Sequence, residues 1–251
     1  MRRAVLQSCS PRGDIEAACV AVETALAAAG AGGATVLTVP EVFLPGYNHT
    51  DIAALALDSR APHLVRLAGA ARQAGCALVL GYAERDGGRI HNAAICIDRD
   101  GNTVANYRKI QLYGLREKSI YAPGDAYATF ALHGQKAAML ICYDIEFAPH
   151  IKALADQGVT LILCPTANMM PFVHVPRHTV AAMAANHGVA IAYANYCGDE
   201  GDLTYTGGSL IAGPHGEILA RAAEGPALLI ADLPARDPAR LSTQSTDFRV
   251  I

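Results

Sequence analysis

The chain has 251 residues, of which 52% are hydrophobic and 17% charged, with a net charge of −3. Soluble domains carry about 25% charged residues, so this composition excludes a disordered polar chain and calls for a large buried interior. No basic run offers a nucleic-acid surface. Seven cysteines stand at positions 9, 19, 76, 96, 142, 164 and 197, none in Cys-x-x-Cys spacing. That scatter fits a reducing, cytoplasmic setting better than a disulfide framework. No segment reaches the roughly 18 uninterrupted apolar residues of a membrane span. Met1-Arg2-Arg3 also lacks the following apolar core of a signal peptide.

In chain order, Ala4 to Gln7 is a short strand and Ile15 to Ala29 an Ala-rich helix, stopped by the glycines at 30, 32 and 33. Thr35 to Val39 is β-branched and bounded by Pro40, the pattern of a buried strand. A helix over Pro62 to Ala74 and a strand over Cys76 to Tyr82 follow. Turn signals at Asp86-Gly87-Gly88 and at Asp98 to Asn102 enclose Asn92 to Ile97, a hairpin signature. Strands are expected at Tyr127 to Leu132 and Ala137 to Cys142, then a helix at Ile151 to Gln157 and a strand at Val159 to Cys164. Pro176 to His187 reads as a helix with Pro176 in its first turn, and Val189 to Asn195 as a strand. The final antiparallel group is Ser209 to Ala212, Glu217 to Ala220 and Ala227 to Asp232. Alternating strands and helices beside hairpins give an α/β chain with mixed sheets. No linker or repeat divides it, so residues 1–251 are expected to form one domain.

Polar residues directly after apolar strands are candidates for chemistry, because a rigid scaffold presents them at a crevice. Glu41 follows the Thr35 strand, Lys109 follows Thr103 to Ala105, and Cys142 ends the run Ala138-Met139-Leu140-Ile141. A thiol nucleophile needs a base and a stabiliser of negative charge. Glu41 can supply the first, and Lys109 the second while lowering the thiol pKa. Each also has an ordinary reading: an inert packing cysteine, an ion-pair carboxylate, a solvated lysine.

The local wording is more specific. VPEVFLPGY (39–47), NYRKIQLYGLREKSIYAPGD (106–125) and LICYDIEF (140–147) resemble the three signature stretches of the nitrilase superfamily of carbon–nitrogen hydrolases, in that family's order and spacing. ILCPTANM (162–169) and AYANYCGDEG (192–201) extend the likeness over nearly the whole chain. Within the family the chain looks most like aliphatic amidases of the 5-aminopentanamidase type. The resemblance implies a four-layer α-β-β-α sandwich with two mixed sheets, paired into a homodimer or higher homo-oligomer. It maps Glu41 to the general base and acid, Lys109 to the oxyanion-stabilising lysine, Cys142 to the nucleophile and Glu117 to a substrate-positioning carboxylate. It implies no metal and no cofactor. Tyr143 would add its backbone N–H to the oxyanion site. Tyr47, Tyr113, Tyr143, Glu146 and Asn168 are candidates for the substrate pocket, and Glu146 or Asp144, facing it, would favour an ammonium-bearing substrate.

The partner so implied is a small-molecule amide, without nucleic acid or membrane. The Cys-Tyr-Asp wording resembles the amidase and carbamoylase branch rather than nitrilases proper, leaving N-carbamoyl amine and nitrile hydrolysis as alternatives. Two departures from the family pattern stand out. Ala148-Pro149 replaces the usual Pro-Glu, and the tail from Ser242 to Ile251 is short, which puts exchange of that tail between subunits in doubt. Three rival readings remain. His174 and His178 have metal-ligand spacing but are interrupted by Pro176. A Cys–His hydrolase would want a Gly-x-Cys-x-Gly elbow that Cys142 lacks. A non-catalytic binding protein would not need Glu41, Lys109 and Cys142 together.

Overall fold

The computed structural model describes residues 1–247 and Arg249, apart from the side chain of Ser245. The chain runs β1 (Arg2–Gln7), α1 (Ile15–Ala31), β2 (Ala34–Thr38), α2 (Ile52–Leu55), α3 (Pro62–Ala74), β3 (Ala77–Asp86), β4 (Arg89–Ile97) and β5 (Thr103–Arg108). Next come α4 (Gly114–Ile120), β6 (Thr129–Leu132), β7 (Gln135–Met139), a 3₁₀ turn at Cys142–Glu146, α5 (Ala148–Asp156) and β8 (Leu161–Pro165). A π-helical turn at Val175–Thr179 runs into α6 (Val180–His187), followed by β9 (Ala190–Ala194) and the hairpin β10 (Cys197–Glu200) and β11 (Leu203–Thr206). The last elements are β12 (Leu210–Ala212), β13 (Ile218–Arg221), β14 (Ala227–Asp232), a 3₁₀ turn at Pro238–Arg240 and α7 (Gln244–Asp247).

Two six-stranded sheets result, ordered β14-β1-β2-β3-β4-β5 and β13-β12-β9-β8-β7-β6, with β10 and β11 forming a separate ribbon. Both sheets are mixed: β1, β2 and β3 are parallel, as are β7, β8 and β9, and the flanking pairs are antiparallel. Successive side chains on a strand point to opposite faces, and the first sheet obeys this residue by residue. Val5, Val36, Val79 and Cys96 enter the core shared with the second sheet. Their neighbours Ala4, Leu37, Leu78 and Ile95 enter a second core beneath α1 and α3. The second sheet buries its other face against α5 and α6. The layers are therefore helix, sheet, sheet, helix, as the family resemblance implied.

Local chemistry explains the helix ends. Asp14 caps α1 by accepting from the Ala17 N–H, and Gly75 ends α3 in the left-handed region at φ 61°. Pro149 falls in the first turn of α5, where a missing N–H costs nothing, so the Ala148-Pro149 departure is compatible with that helix.

Several sequence expectations need correction. The strand expected to end at Cys142 stops at Met139, and Cys142 opens a 3₁₀ turn. The segment from Pro176 begins as a π-helical turn before becoming α-helical. The last antiparallel group is split: β12 and β13 pair in the second sheet, whereas β14 crosses over to pair with β1. The short α2, α4 and the β10–β11 hairpin have too little apolar periodicity to be read in advance. The expectation about the tail falls partly on Phe248, Val250 and Ile251, which lie outside the described residues.

The parallel strands β2, β7 and β8 present their carboxyl ends together, the usual place for a site in α/β sheets. The Glu41 N–H donates to Thr166 O at 3.3 Å, stitching the exit of β2 to that of β8 across the two sheets. This approach depends on Gly81 of β3. A Cβ there would lie 2.4 Å from Pro40 O and 2.7 Å from the Glu41 Cα. Gly81→Ala should therefore destabilise the fold by about 1–3 kcal/mol through overpacking, read as a Tm lower by several degrees. An unchanged Tm would mean that the Glu41 segment is not held against β3.

Candidate active site

Glu41, Lys109 and Glu117 reach one buried point from three elements: the exit of β2, the exit of β5 and the first turn of α4. All three side chains are buried, those of Glu41 and Lys109 completely. Lys109 Nζ donates to Glu41 Oε1 and to Glu117 Oε1, each at 2.7 Å. Charges are seldom buried unless paired and hydrogen-bonded, and the surroundings complete the pairing. Asn92 Nδ2 donates to Glu41 Oε1 at 2.6 Å. The Tyr47 hydroxyl donates to Glu117 Oε1 at 2.7 Å, and the Tyr113 N–H to Glu117 Oε2 at 2.8 Å. Both Glu117 oxygens are thus engaged with protein groups. Glu41 Oε2, by contrast, is buried with no hydrogen-bond partner among the described residues. A lysine ammonium has three N–H donors, and two are already used.

Burial pushes the Glu41 carboxyl above its ordinary range, with Glu117 adding to the effect and Lys109 opposing it. Burial alone would lower Lys109, but the two carboxylates together hold it well above its usual value. Gly124, in the PGD element, secures this lysine from behind. Its N–H donates to Lys109 O at 2.8 Å, and a Cβ there would sit 2.1 Å from Arg108 O.

Cys142 lies within electrostatic reach of Glu41 and Lys109 and is partly exposed. It has φ 47°, the left-handed region that residues other than glycine rarely occupy, and Val42, next to Glu41, has φ 45°. Strained backbone of this kind is kept where surrounding structure over-determines it, and Asp144 supplies that bracing. Its Oδ2 accepts from the Ile141 N–H at 3.0 Å and the Tyr107 hydroxyl at 2.8 Å, and its Oδ1 from the Gln111 N–H at 2.8 Å. Asp144 therefore ties the Cys142 turn to the segment carrying Lys109 and does not face a substrate.

The thiol is pushed well above its usual pKa, chiefly by burial and then by Glu41. Lys109, the Thr166 hydroxyl and the Ala167 N–H pull the other way without reversing the shift. Lys109 lowers the thiol pKa as expected, but desolvation outweighs one lysine whose charge is shared between two carboxylates. Burial therefore disfavours the thiolate form of Cys142.

The remaining sequence candidates divide. Tyr113 packs edge-on against Tyr143 and Phe172, with ring centroids 5.3 and 5.9 Å away, and Tyr143 does so against Phe147 at 4.8 Å. Tyr47 and Tyr113 border a cavity of about 610 Å³ with Arg116, Met169 and Leu203. Glu146 is half-buried and has no side-chain hydrogen bond to the described residues. Burial raises its pKa, with His174 and Lys109 opposing. Asn168 turns away from such a role: its amide donates to Phe172 O and Thr206 Oγ1 at 3.0 and 3.1 Å, fixing the loop after β8.

The match to a family model decides what this arrangement belongs to: residues 2–240 match the carbon–nitrogen hydrolase model. The chain belongs to the carbon–nitrogen hydrolase family. It is similar to a hydrolase encoded in the pqqF 5′ region of Pseudomonas protegens, 43% identical over 80% of this chain and 72% of that protein. An (R)-stereoselective amidase of a Pseudomonas species is 33% identical over 75% of this chain and 69% of its own length. Among solved structures, the amidase of Nesterenkonia sp. AN1 superposes with TM-score 0.90 at 34% identity, covering 99% of this chain and 94% of that one. One of its structures carries acrylamide added at the active-site cysteine, and a cysteine-to-alanine variant is in complex with butyramide. As a member of this family, the protein is a hydrolase of carbon–nitrogen bonds.

Within this carbon–nitrogen hydrolase, sequence reading passed over Asn92, Thr166 and Tyr196. Tyr196 donates to Glu41 O at 2.8 Å, and Asn92 holds Glu41 while its carbonyl accepts from the Lys109 N–H at 2.8 Å. An asparagine inside the apolar run Ile90 to Ile97 was the available signal, since a buried amide requires partners. Lys109→Ala leaves Glu41 and Glu117 buried without their cation. It should lower stability by about 3–5 kcal/mol, seen as an earlier midpoint in denaturant unfolding. An unshifted midpoint would show that the cluster is not held as ions.

Proposed function

We propose that the protein hydrolyses small aliphatic amides, with a preference for an ammonium group at the far end of the acyl chain, releasing ammonia through a thioester on Cys142. The observation that carries this reading is the unpartnered Glu41 Oε2 beside a lysine with one N–H to spare, within electrostatic reach of a neutral thiol.

Glu41 accepts the Cys142 proton as the sulfur attacks the amide carbonyl. The oxyanion is held by the third Lys109 N–H and by the Tyr143 N–H, which lies in a first turn where N–H groups lack intrahelical acceptors. Glu41 then gives its proton to the departing nitrogen, the C–N bond breaks, and ammonia leaves a thioester. Glu41 next takes a proton from water as its oxygen attacks the thioester. The C–S bond of the second intermediate then breaks, Glu41 returns its proton to the departing sulfur, and the carboxylic acid leaves behind a free thiol and an ionised Glu41. The aromatic wall of Tyr113, Tyr143 and Phe172 packs the acyl chain, and Glu146 receives its ammonium end. Residues 1–251 act as one carbon–nitrogen hydrolase domain and pair into a homodimer, expected near twice 26.3 kDa by light scattering; a mass at the single-chain value would refute the pairing.

Cys142→Ala should abolish ammonia release from every amide, and near-normal release would sink the scheme. Because Glu41 must be ionised to act and its pKa is raised, kcat/KM should fall as pH drops while still above the ordinary glutamate value of about 4.3. Glu41→Gln should remove most activity at all pH values. Glu146→Gln should raise KM for ω-amino amides about 10-fold or more, the worth of one charge-assisted hydrogen bond. Uncharged amides of similar length should change little, and equal effects on both classes would exclude Glu146 as the ammonium site.

A further inference from the structure

Outside the catalytic pocket, the Cys9 and Cys197 sulfurs lie 3.9 Å apart although 188 positions separate them in sequence. Ser8 and Tyr196 form a parallel bridge, and the Cys197 N–H donates to Ser8 O at 3.0 Å. The two cysteines each stand one residue beyond that bridged pair. Their backbones are therefore close to the roughly 4.8 Å spacing of adjacent strands, inside the Cα separation of about 4.4–6.8 Å that a disulfide spans. Cys9 is exposed and Cys197 buried. The other described cysteines make no such sulfur–sulfur contact.

We propose that Cys9 and Cys197 form a redox modification site, a dithiol that a hydroperoxide oxidises to a disulfide clasping the β10–β11 hairpin to the exit of β1. The exposed member meets the oxidant. The Cys9 sulfur attacks one peroxide oxygen, the O–O bond breaks, and Cys9 sulfenic acid and one water (or alcohol) result. The Cys197 sulfur then attacks the Cys9 sulfur and the S–O bond breaks. The departing hydroxide takes the Cys197 proton and leaves as a second water. Two thiols lose two electrons and two protons, and the hydroperoxide gains them. Burial, then Cys9, pushes the Cys197 thiol up to about 12, so the first encounter with oxidant falls to the exposed Cys9.

The clasp sits on a segment that reaches both the Glu41 backbone and the cavity beside Tyr47. Tyr196, next to Cys197, holds Glu41 O. Glu200, on the same hairpin, accepts from the Asn48 N–H at 2.9 Å and from the Tyr205 hydroxyl at 2.5 Å. Gly201, Asp202 and Leu203 border the cavity beside Tyr47. A link closing so long a loop also removes much freedom from the unfolded chain.

The test treats the intact protein with a small excess of hydrogen peroxide, alkylates the remaining thiols and maps peptides without reduction. A single linked pair joining Cys9 to Cys197 is expected, with reactive thiols in the denatured protein falling from seven to five. The oxidised form should gain several degrees in Tm, reversed by dithiothreitol, and Cys9→Ser should lose both the link and the shift. Cys9 recovered as sulfinic acid or joined to a second chain, with Cys197 still alkylated, would overturn the proposal. So would a Tm rise that persists in Cys9→Ser. No readout depends on amide hydrolysis, so this proposal and the catalytic one fail separately.

Discussion

One buried ammonium shared between two carboxylates sets the conditions for everything else at this site. An isolated charge would not survive where Lys109 lies, with its side chain completely buried. It is tolerated because Glu41 and Glu117 approach to 2.7 Å and because Asn92, Tyr47 and the Tyr113 N–H satisfy most of the remaining oxygen capacity. The cluster therefore fixes where the exits of β2 and β5 and the start of α4 must meet. It also sets the proton affinity of Glu41, since burial raises it and the lysine restrains it. Glu41 Oε2 accepts no hydrogen bond from the described residues, and a carboxylate oxygen of that kind can take up a proton.

Cys142 is set up differently from an activated thiolate. Cys142 is held at a left-handed φ by the Asp144 brace, in a desolvated pocket that raises its pKa. Burial there disfavours the thiolate, the form in which a cysteine reacts. Asp144 bonds to both the Ile141 and Gln111 backbones, so the turn bearing the sulfur and the segment following Lys109 shift together or not at all. The two sheets each contribute one half of the chemistry, and Asp144 and the Glu41–Thr166 contact hold the halves in register.

Much of this was legible in the sequence, for identifiable reasons. Strand periodicity in Thr35 to Val39 and Cys76 to Tyr82 gave both strands to within a few residues, because their alternate faces enter two different cores. Glu41, Lys109 and Cys142 stood out as polar residues directly after strands, whereas Glu117, between Arg116 and Lys118, came forward only through the family resemblance. What escaped notice depended on partners far away in the chain. β14 reads like the third strand of a meander, yet its hydrogen bonds go to β1. Asn168 sits in a motif beside the site, but its amide is occupied by Phe172 and Thr206. Asn92 looked like part of a hairpin, and only the fold sets it against Glu41.

An odd number of scattered cysteines and a sparsely charged chain were apparent from composition, and the sequence alone determined which polar residues interrupt its apolar strands. Hydrophobic periodicity is a local property, so it survives reading one residue after another. Tertiary structure decided the rest, because pKa shifts and contacts depend on how much water is removed and which distant groups replace it. It raised the proton affinity of the Cys142 thiol, made Asp144 a brace, and brought Cys9 to within 3.9 Å of Cys197. No spacing along the chain encodes those outcomes, since each arises from segments that meet only when two sheets close on one another.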